Sequence, residues 1–211
     1  MSDVRTNWIR PPGPVAPGLR IGLLGGSFNP AHEGHLHVSY VALKRLGLDY
    51  VWWLVSPQNP LKPVRGMASL RERLAGARSL TIHSPRICVT DIEVLLGTRY
   101  TIDTVTRLKQ RFPALHLVWL MGSDNLMTFH HWRQWHDLAS LIPIAVVVRP
   151  GAALAPLTSR AAQHLAAFKT SNNRSLATTP PPAFAILDAR RSPASATAIR
   201  ARLLADPTSV C

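Results

Sequence analysis

The chain has 211 residues, 46% of them hydrophobic and 17% charged, with a formal net charge of +13. This length and apolar content suit one domain with a real core and exclude a disordered chain. No apolar run reaches the roughly 18 residues of a membrane-spanning helix, and the charged, proline-rich start lacks the apolar centre of a signal peptide. Cys88 and Cys211 have neither metal-ligand nor disulfide spacing, so a cytoplasmic chain is the expectation. The positive charge has three readings: a nucleic-acid binder, a handler of small polyanions, or a plain arginine excess from genome composition. The basic residues are scattered rather than clustered, so none of the three is selected by charge alone.

Residues 1–19 read as a flexible proline-rich leader, 20–205 as the folded domain and 206–211 as a tail. Arg20 to Leu24 is a short apolar run ending in Gly25-Gly26, a buried strand entering a tight turn. A helix is expected from Gly34 to Leu46, with Leu36, Tyr40 and Leu43 at helical spacing and Gly47 as the stop. Tyr50 to Val55 is a second strand and Pro57 to Pro63 a loop. Ser69 to Leu80 reads as an amphipathic helix with Arg71, Glu72 and Arg73 on its wet side. Arg86 to Val89 is a third strand, Tyr100 to Phe112 a helix, and Leu115 to Met121 an apolar strand ending at Gly122. Trp132 to Leu141 is expected to be helical, Ile144 to Val148 a strand, Ser159 to Phe168 a helix, Phe184 to Leu187 a strand and Ala196 to Ala205 a last helix.

Apolar strands alternating with helices predict an α/β fold: a Rossmann-like, doubly wound parallel sheet with helices on both faces, in a single domain. Ligands bind such sheets at the carboxyl ends of the strands. Gly25-Gly26, Gln58-Asn59, Gly122-Ser123-Asp124 and Arg149 all fall there.

The strongest chemical signal is Gly25-Gly26-Ser27-Phe28-Asn29-Pro30-Ala31-His32-Glu33-Gly34-His35, which follows a strand and opens a helix. Glycines let the backbone pass close to a polyphosphate, and free amides at a helix start attract anions. His32 and His35, three apart, would share a helical face and donate to phosphate oxygens. The stretch is neither a dinucleotide-binding GxGxxG nor a Walker loop. Near the end, Ser195-Ala196-Thr197-Ala198-Ile199-Arg200 offers a second helix start with two hydroxyls, and an arginine that can grip phosphate bidentately. Trp132 presents a flat face to a flat heterocycle, although a core tryptophan is the commoner role for that residue.

The first segment resembles the His-x-Gly-His signature of the nucleotidylyltransferase superfamily. The last resembles the Ser-x-Thr-x-Ile-Arg motif with which its adenylyltransferases hold ATP phosphates. Class I aminoacyl-tRNA synthetases share the first signature, but this chain lacks their lysine-rich second one. Gly122, Asp124 and Trp132 are similar to the Gly-x-Asp…Trp stretch of nicotinate-nucleotide adenylyltransferases, and Tyr100-Thr101 to their Tyr-Thr-x-x-Thr segment. The loop with Asn59 and Lys62, and the Arg-Pro-Gly segment at Arg149, match that family too. Asp91 and Glu93 echo a family Asp-x-Glu pair, for which support of the fold is the expected role.

The resemblance implies a reaction of ATP with nicotinate mononucleotide, giving nicotinate adenine dinucleotide and pyrophosphate. It implies His32, His35 and Arg200 at the transferred phosphoryl group. Gly25, Gly26, Ser27, Phe28, Gly122, Asp124, Ser195, Thr197 and Ile199 would bind ATP, while Asn59, Lys62, Tyr100, Thr101, Trp132 and Arg149 would bind the mononucleotide. No acidic cluster stands ready for a resident metal, so Mg²⁺ is expected on the ATP phosphates. The expected partners are small molecules, with neither nucleic acid nor membrane. The alternatives are a relative acting on nicotinamide mononucleotide, on phosphopantetheine or on a CTP-dependent substrate, or a catalytically dead, basic nucleic-acid-binding protein.

Overall fold

The structure is a computed structural model that describes residues 10–57, 67–148 and 158–188. Six strands form one sheet: β1 (Arg20–Gly26), β2 (Tyr50–Val55), β3 (Ile87–Thr90), β4 (His116–Gly122), β5 (Ile144–Val148) and β6 (Phe184–Asp188). Their order is β3-β2-β1-β4-β5-β6, and every neighbouring pair is parallel. The helices are α1 (Glu33–Leu46), α2 (Leu70–Leu80), α3 (Ile92–Leu96), α4 (Thr101–Arg111), α5 (Ser123–Thr128), α6 (Trp135–Leu141) and α7 (Arg160–Ala166). This is the Rossmann-like α/β sheet expected from the alternation.

The apolar strands are continuous because both faces are covered. Alternate residues of each strand feed two separate cores. Leu23, Trp52, Leu54, Trp119, Met121 and Val146 face α3, α4, α5, α6 and α7. Leu24, Trp53, Val55, Val118, Leu120 and Val147 face α1 and α2. The chain reverses its winding between β1 and β4, and at that point a parallel sheet opens a crevice at its carboxyl edge.

The expected strands and the first helix are present, with five differences of consequence. Gly25 and Gly26 are not in a turn but are the last two residues of β1, paired with Leu54 and Val55 of β2. Tyr40 is 48% exposed rather than part of the buried stripe. Trp132 lies outside α6, which starts at Trp135, and caps a 3-10 turn over Phe129–His131. The expected helix to Phe168 ends at Ala166. Arg73, read as solvent-facing, is 4% exposed. The short helices α3 and α5 were not expected at all. The last expected helix, Ala196 to Ala205, lies outside the described residues. Within the leader, Gly13 packs against Cys88 and Trp52, and the Gly18 amide donates to the Ala114 carbonyl.

Candidate active site

A cavity of about 470 Å³ opens at the carboxyl edge of the sheet, between the ends of β1 and β4. Its wall gathers segments far apart in sequence: Gly25, Gly26, Ser27, Phe28, His32 and His35 from the β1–α1 passage, Tyr100 and Thr101 from the start of α4, and Gly122, Asp124 and Trp132 after β4. Asn59, Lys62, Arg149, Ser195, Thr197, Ile199 and Arg200 lie outside the described residues.

The histidines are held differently from the expectation of a shared helical face. His32 is the N-cap of α1, with extended backbone (φ −151°, ψ 168°), and it forms a reciprocal capping box with His35. The Gly34 amide donates to His32 Nδ1 at 3.1 Å and the His32 amide to His35 Nδ1 at 3.2 Å. Both Nδ1 atoms are therefore acceptors, so in the neutral rings the proton sits on Nε2. The ring centroids are 3.9 Å apart. The backbone thus sets the tautomer of both rings and puts the N–H of each neutral ring on Nε2.

The loop that delivers them is strained and braced. Phe28 has φ +46°, in the left-handed region that a bulky residue rarely enters. Its ring is buried, stacked 4.9 Å from Trp53 and tilted against His35 at 4.6 Å. Trp53 Nε1 donates to Ser39 Oγ at 2.8 Å, and Ser39 Oγ donates to the His35 carbonyl at 2.9 Å. Burial of the ring and this relay offset the strain.

Gly25 is needed for space rather than for a special φ. A Cβ there would lie 2.6 Å from Trp119 Cη2. Trp119 in turn meets Trp132 edge-on at 6.0 Å, and Phe129 meets Trp132 edge-on at 5.3 Å. Trp132 is thereby fixed as a half-buried aromatic wall of the cavity. No side chain caps the first turn of α4, so its leading amides retain the affinity of a helix start for an anion.

Two charged residues of the wall, Arg99 and Arg133, were missed by sequence reasoning, and a third, Glu93, was given only a supporting role. Arg99 and Arg133 are exposed and line the cavity. The Arg133 guanidinium lies 4.7 Å from the Tyr100 ring centroid and that of Arg99 5.9 Å from it. Arg99, directly before the Tyr-Thr segment, was visible in the sequence, whereas Arg133 reaches Tyr100 only through the fold. Glu93, expected to support the fold, is 5% exposed yet lines the same cavity. Burial pushes its carboxyl above the ordinary glutamate range, against hydrogen bonds from Ser56 and Thr104.

A parallel sheet whose switch point carries a glycine-bearing strand end and a histidine-capped helix offers a cradle for a phosphate-bearing ligand. A sequence model of the family described as cytidylyltransferase-like matches residues 23–202. A Parvibaculum lavamentivorans protein named "Probable nicotinate-nucleotide adenylyltransferase" is 54% identical over 190 residues, covering 89% of this chain and 94% of the relative. One of the same name from Methylorubrum extorquens is 54% identical over 186 residues, covering 87% of this chain and all of the relative. The chain belongs to the cytidylyltransferase-like family and, within it, to the nicotinate-nucleotide adenylyltransferases. The fold is also that of a solved Plasmodium falciparum nicotinic acid mononucleotide adenylyltransferase complexed with NaAD, with TM-score 0.61, 15% identity, and coverage of 82% of this chain and 76% of that one.

Proposed function

We propose that the protein transfers AMP from ATP to nicotinate mononucleotide, giving nicotinate adenine dinucleotide and pyrophosphate, a step of NAD biosynthesis. The observation that carries this reading is convergence: the histidine-capped start of α1, the uncapped start of α4 and the Trp132 wall meet around one cavity. The names of the relatives specify the pyridine. The 5′-phosphate of the mononucleotide attacks the α-phosphorus of ATP. A new P–O bond forms there as the bond to the β-phosphate bridge breaks, and pyrophosphate leaves. The nucleophile is already ionised near neutral pH, so the work is positioning and charge stabilisation.

Within this reading His32 and His35 donate from Nε2 to the phosphoryl oxygens, joined by Arg200. Gly25, Gly26, Ser27 and Phe28 line the ATP phosphate path, with Ser195, Thr197 and Ile199 beyond it, and Gly122 and Asp124 lie toward the ribose and adenine. Trp132 stacks on the pyridine, whose carboxylate faces the α4 amides at Tyr100 and Thr101. Asn59, Lys62 and Arg149 hold the rest of the mononucleotide. Among the described residues no three His, Cys, Asp or Glu side chains converge as a metal cage. In this reading Mg²⁺ would be carried in on the ATP phosphates as MgATP. Among the described residues no helix is long and apolar enough to cross a membrane, and a cytoplasmic enzyme of small-molecule substrates fits the reading.

The test is pyrophosphate release from MgATP with nicotinate mononucleotide and nicotinamide mononucleotide in parallel, with His35→Ala as control. Release with the nicotinate substrate, lost in the variant, is the expected result. Equal release with the amide overturns the specificity, and none with either overturns the activity.

A further inference from the structure

Beneath the cavity runs a chain of buried polar groups that sequence reasoning did not anticipate. Arg73, on α2, donates from Nη1 to the Ser27 carbonyl at 2.6 Å and to the Ser56 carbonyl at 2.7 Å. Its Nη2 reaches the Pro57 carbonyl at 3.0 Å and its Nε the Ala68 carbonyl at 3.0 Å. On the other side of Ser56, its hydroxyl donates to Glu93 Oε2 at 2.5 Å. Glu93 Oε1 accepts from Thr104 Oγ1 at 3.3 Å, and Thr104 Oγ1 is 2.8 Å from Thr98 Oγ1. Arg73, Glu93, Thr98 and Thr104 are all at least nine-tenths buried.

The endpoints of this chain matter. Ser27 belongs to the β1–α1 loop that precedes the histidines. Thr104 lies in the first turn of α4, directly behind Tyr100 and Thr101, and its one hydroxyl proton is shared between Glu93 Oε1 and the Tyr100 carbonyl, the latter at 3.2 Å. Ser56, at the end of β2, is the junction: a cation holds its carbonyl and a carboxyl group accepts from its hydroxyl. Two ionisable groups taken out of water on one residue are costly as stability devices. Burial lowers the Arg73 guanidinium and raises the Glu93 carboxyl, so each is penalised where it stands. Fully satisfied networks of this kind rigidify what they connect.

We propose that Arg73, Ser56, Glu93 and Thr104 form a buried strut that fixes the spacing between the phosphate-loop half of the site and the pyridine half, and that they are positioning residues for phosphoryl transfer. The proposal rests on the two-substrate reading above. Each substrate would still bind its own half when the strut is cut, but the attacking phosphate and the α-phosphorus would no longer meet in line. A misplacement of about 1 Å costs on the order of 100-fold in rate.

The test uses the full chain. Ser56→Ala removes the hydroxyl that Glu93 accepts from while leaving the carbonyl that Arg73 holds. Thr104→Val cuts the far end, and Thr104→Ser restores its hydroxyl. Thr81→Val, which removes a buried hydroxyl bonded only within its own helix end, is the control for lost stability. The expected result is a kcat lowered about 10- to 100-fold in Ser56→Ala and Thr104→Val, with KM for both substrates within about threefold and recovery in Thr104→Ser. Thr81→Val should lose melting temperature but keep kcat. An unchanged kcat, a rise in KM alone, or a loss that merely follows melting temperature as in Thr81→Val would overturn the strut while wild-type turnover leaves the activity standing. A wild-type chain that releases no pyrophosphate overturns both.

Discussion

Gly25→Ala adds a single methyl group at the floor of the cavity. Its Cβ would lie 2.6 Å from Trp119 Cη2 and 3.0 Å from Cζ2, whereas carbon pairs rest at about 3.5–4.0 Å. The indole would have to retreat by about 1 Å. It is 2% exposed and met edge-on by Trp132, so any retreat disturbs that wall or intrudes on the cavity it borders. Overpacking of this kind costs about 1–3 kcal/mol. For a domain of this size that lowers the melting temperature by roughly 2–12 °C. The displaced indole also carries Trp132 with it, so kcat/KM with nicotinate mononucleotide should fall about 100-fold. Thermal unfolding and pyrophosphate release read the two effects. Trp119→Phe removes the clashing atoms, so the double variant Gly25→Ala/Trp119→Phe should be more stable than the sum of the single losses by at least about 0.5 kcal/mol. A Gly25→Ala protein that melts with wild type and turns over normally would refute the steric argument. Additive losses in the double variant would place the clash elsewhere.

Asparagine is a strong N-cap, so His32→Asn should keep α1 and the melting temperature while pyrophosphate release falls about 100-fold; His32→Ala should lose the cap as well, costing a further 1 kcal/mol or so. Arg133→Ala should raise KM for nicotinate mononucleotide about three- to tenfold with little change in KM for ATP, and the difference should shrink at high salt, since both arginines are exposed. Glu93, with its folded pKa raised above 4.5, binds a proton more readily when folded, so stability falls as pH climbs from 4.5 through the raised value. Denaturant melts across that window should show this slope in wild type and lose it in Glu93→Gln. Glu72 is shifted the opposite way by its Ser69 partner, so its contribution lies below 4.5 and does not mask the effect.

Strand positions, the first helix and the cavity segments were legible because they rest on local pattern: apolar runs between helices, and glycines at strand ends. The capping role of His32 was not, since histidine is an uncommon cap and the Nδ1 bond depends on a backbone turn. Arg73 was misread from its charge, yet Leu70, Arg73, Leu74 and Ala77 follow the i, i+3, i+4, i+7 stripe of a buried face. The spacing marked it as inward, and only the four carbonyls waiting there, three of them from other segments, make an inward arginine tolerable. Glu93 was placed in a supporting role, but nothing local in sequence announces that Ser56 and Thr104 will come to it from 37 and 11 residues away. Long-range satisfaction of buried charge is invisible to any window.

The aromatic wall has a further consequence for anyone handling this protein. Trp119 and Trp132 border the cavity, and Trp53 stacks on the Phe28 ring that abuts His35. Indole emission follows the polarity and quenching around the ring, so the chain carries its own optical gauge of occupancy. A pyridine ring laid on Trp132 should dim its fluorescence, and a nucleotide drawn into the histidine loop should alter that of Trp53, so filling the cavity changes the chain's summed emission without a label.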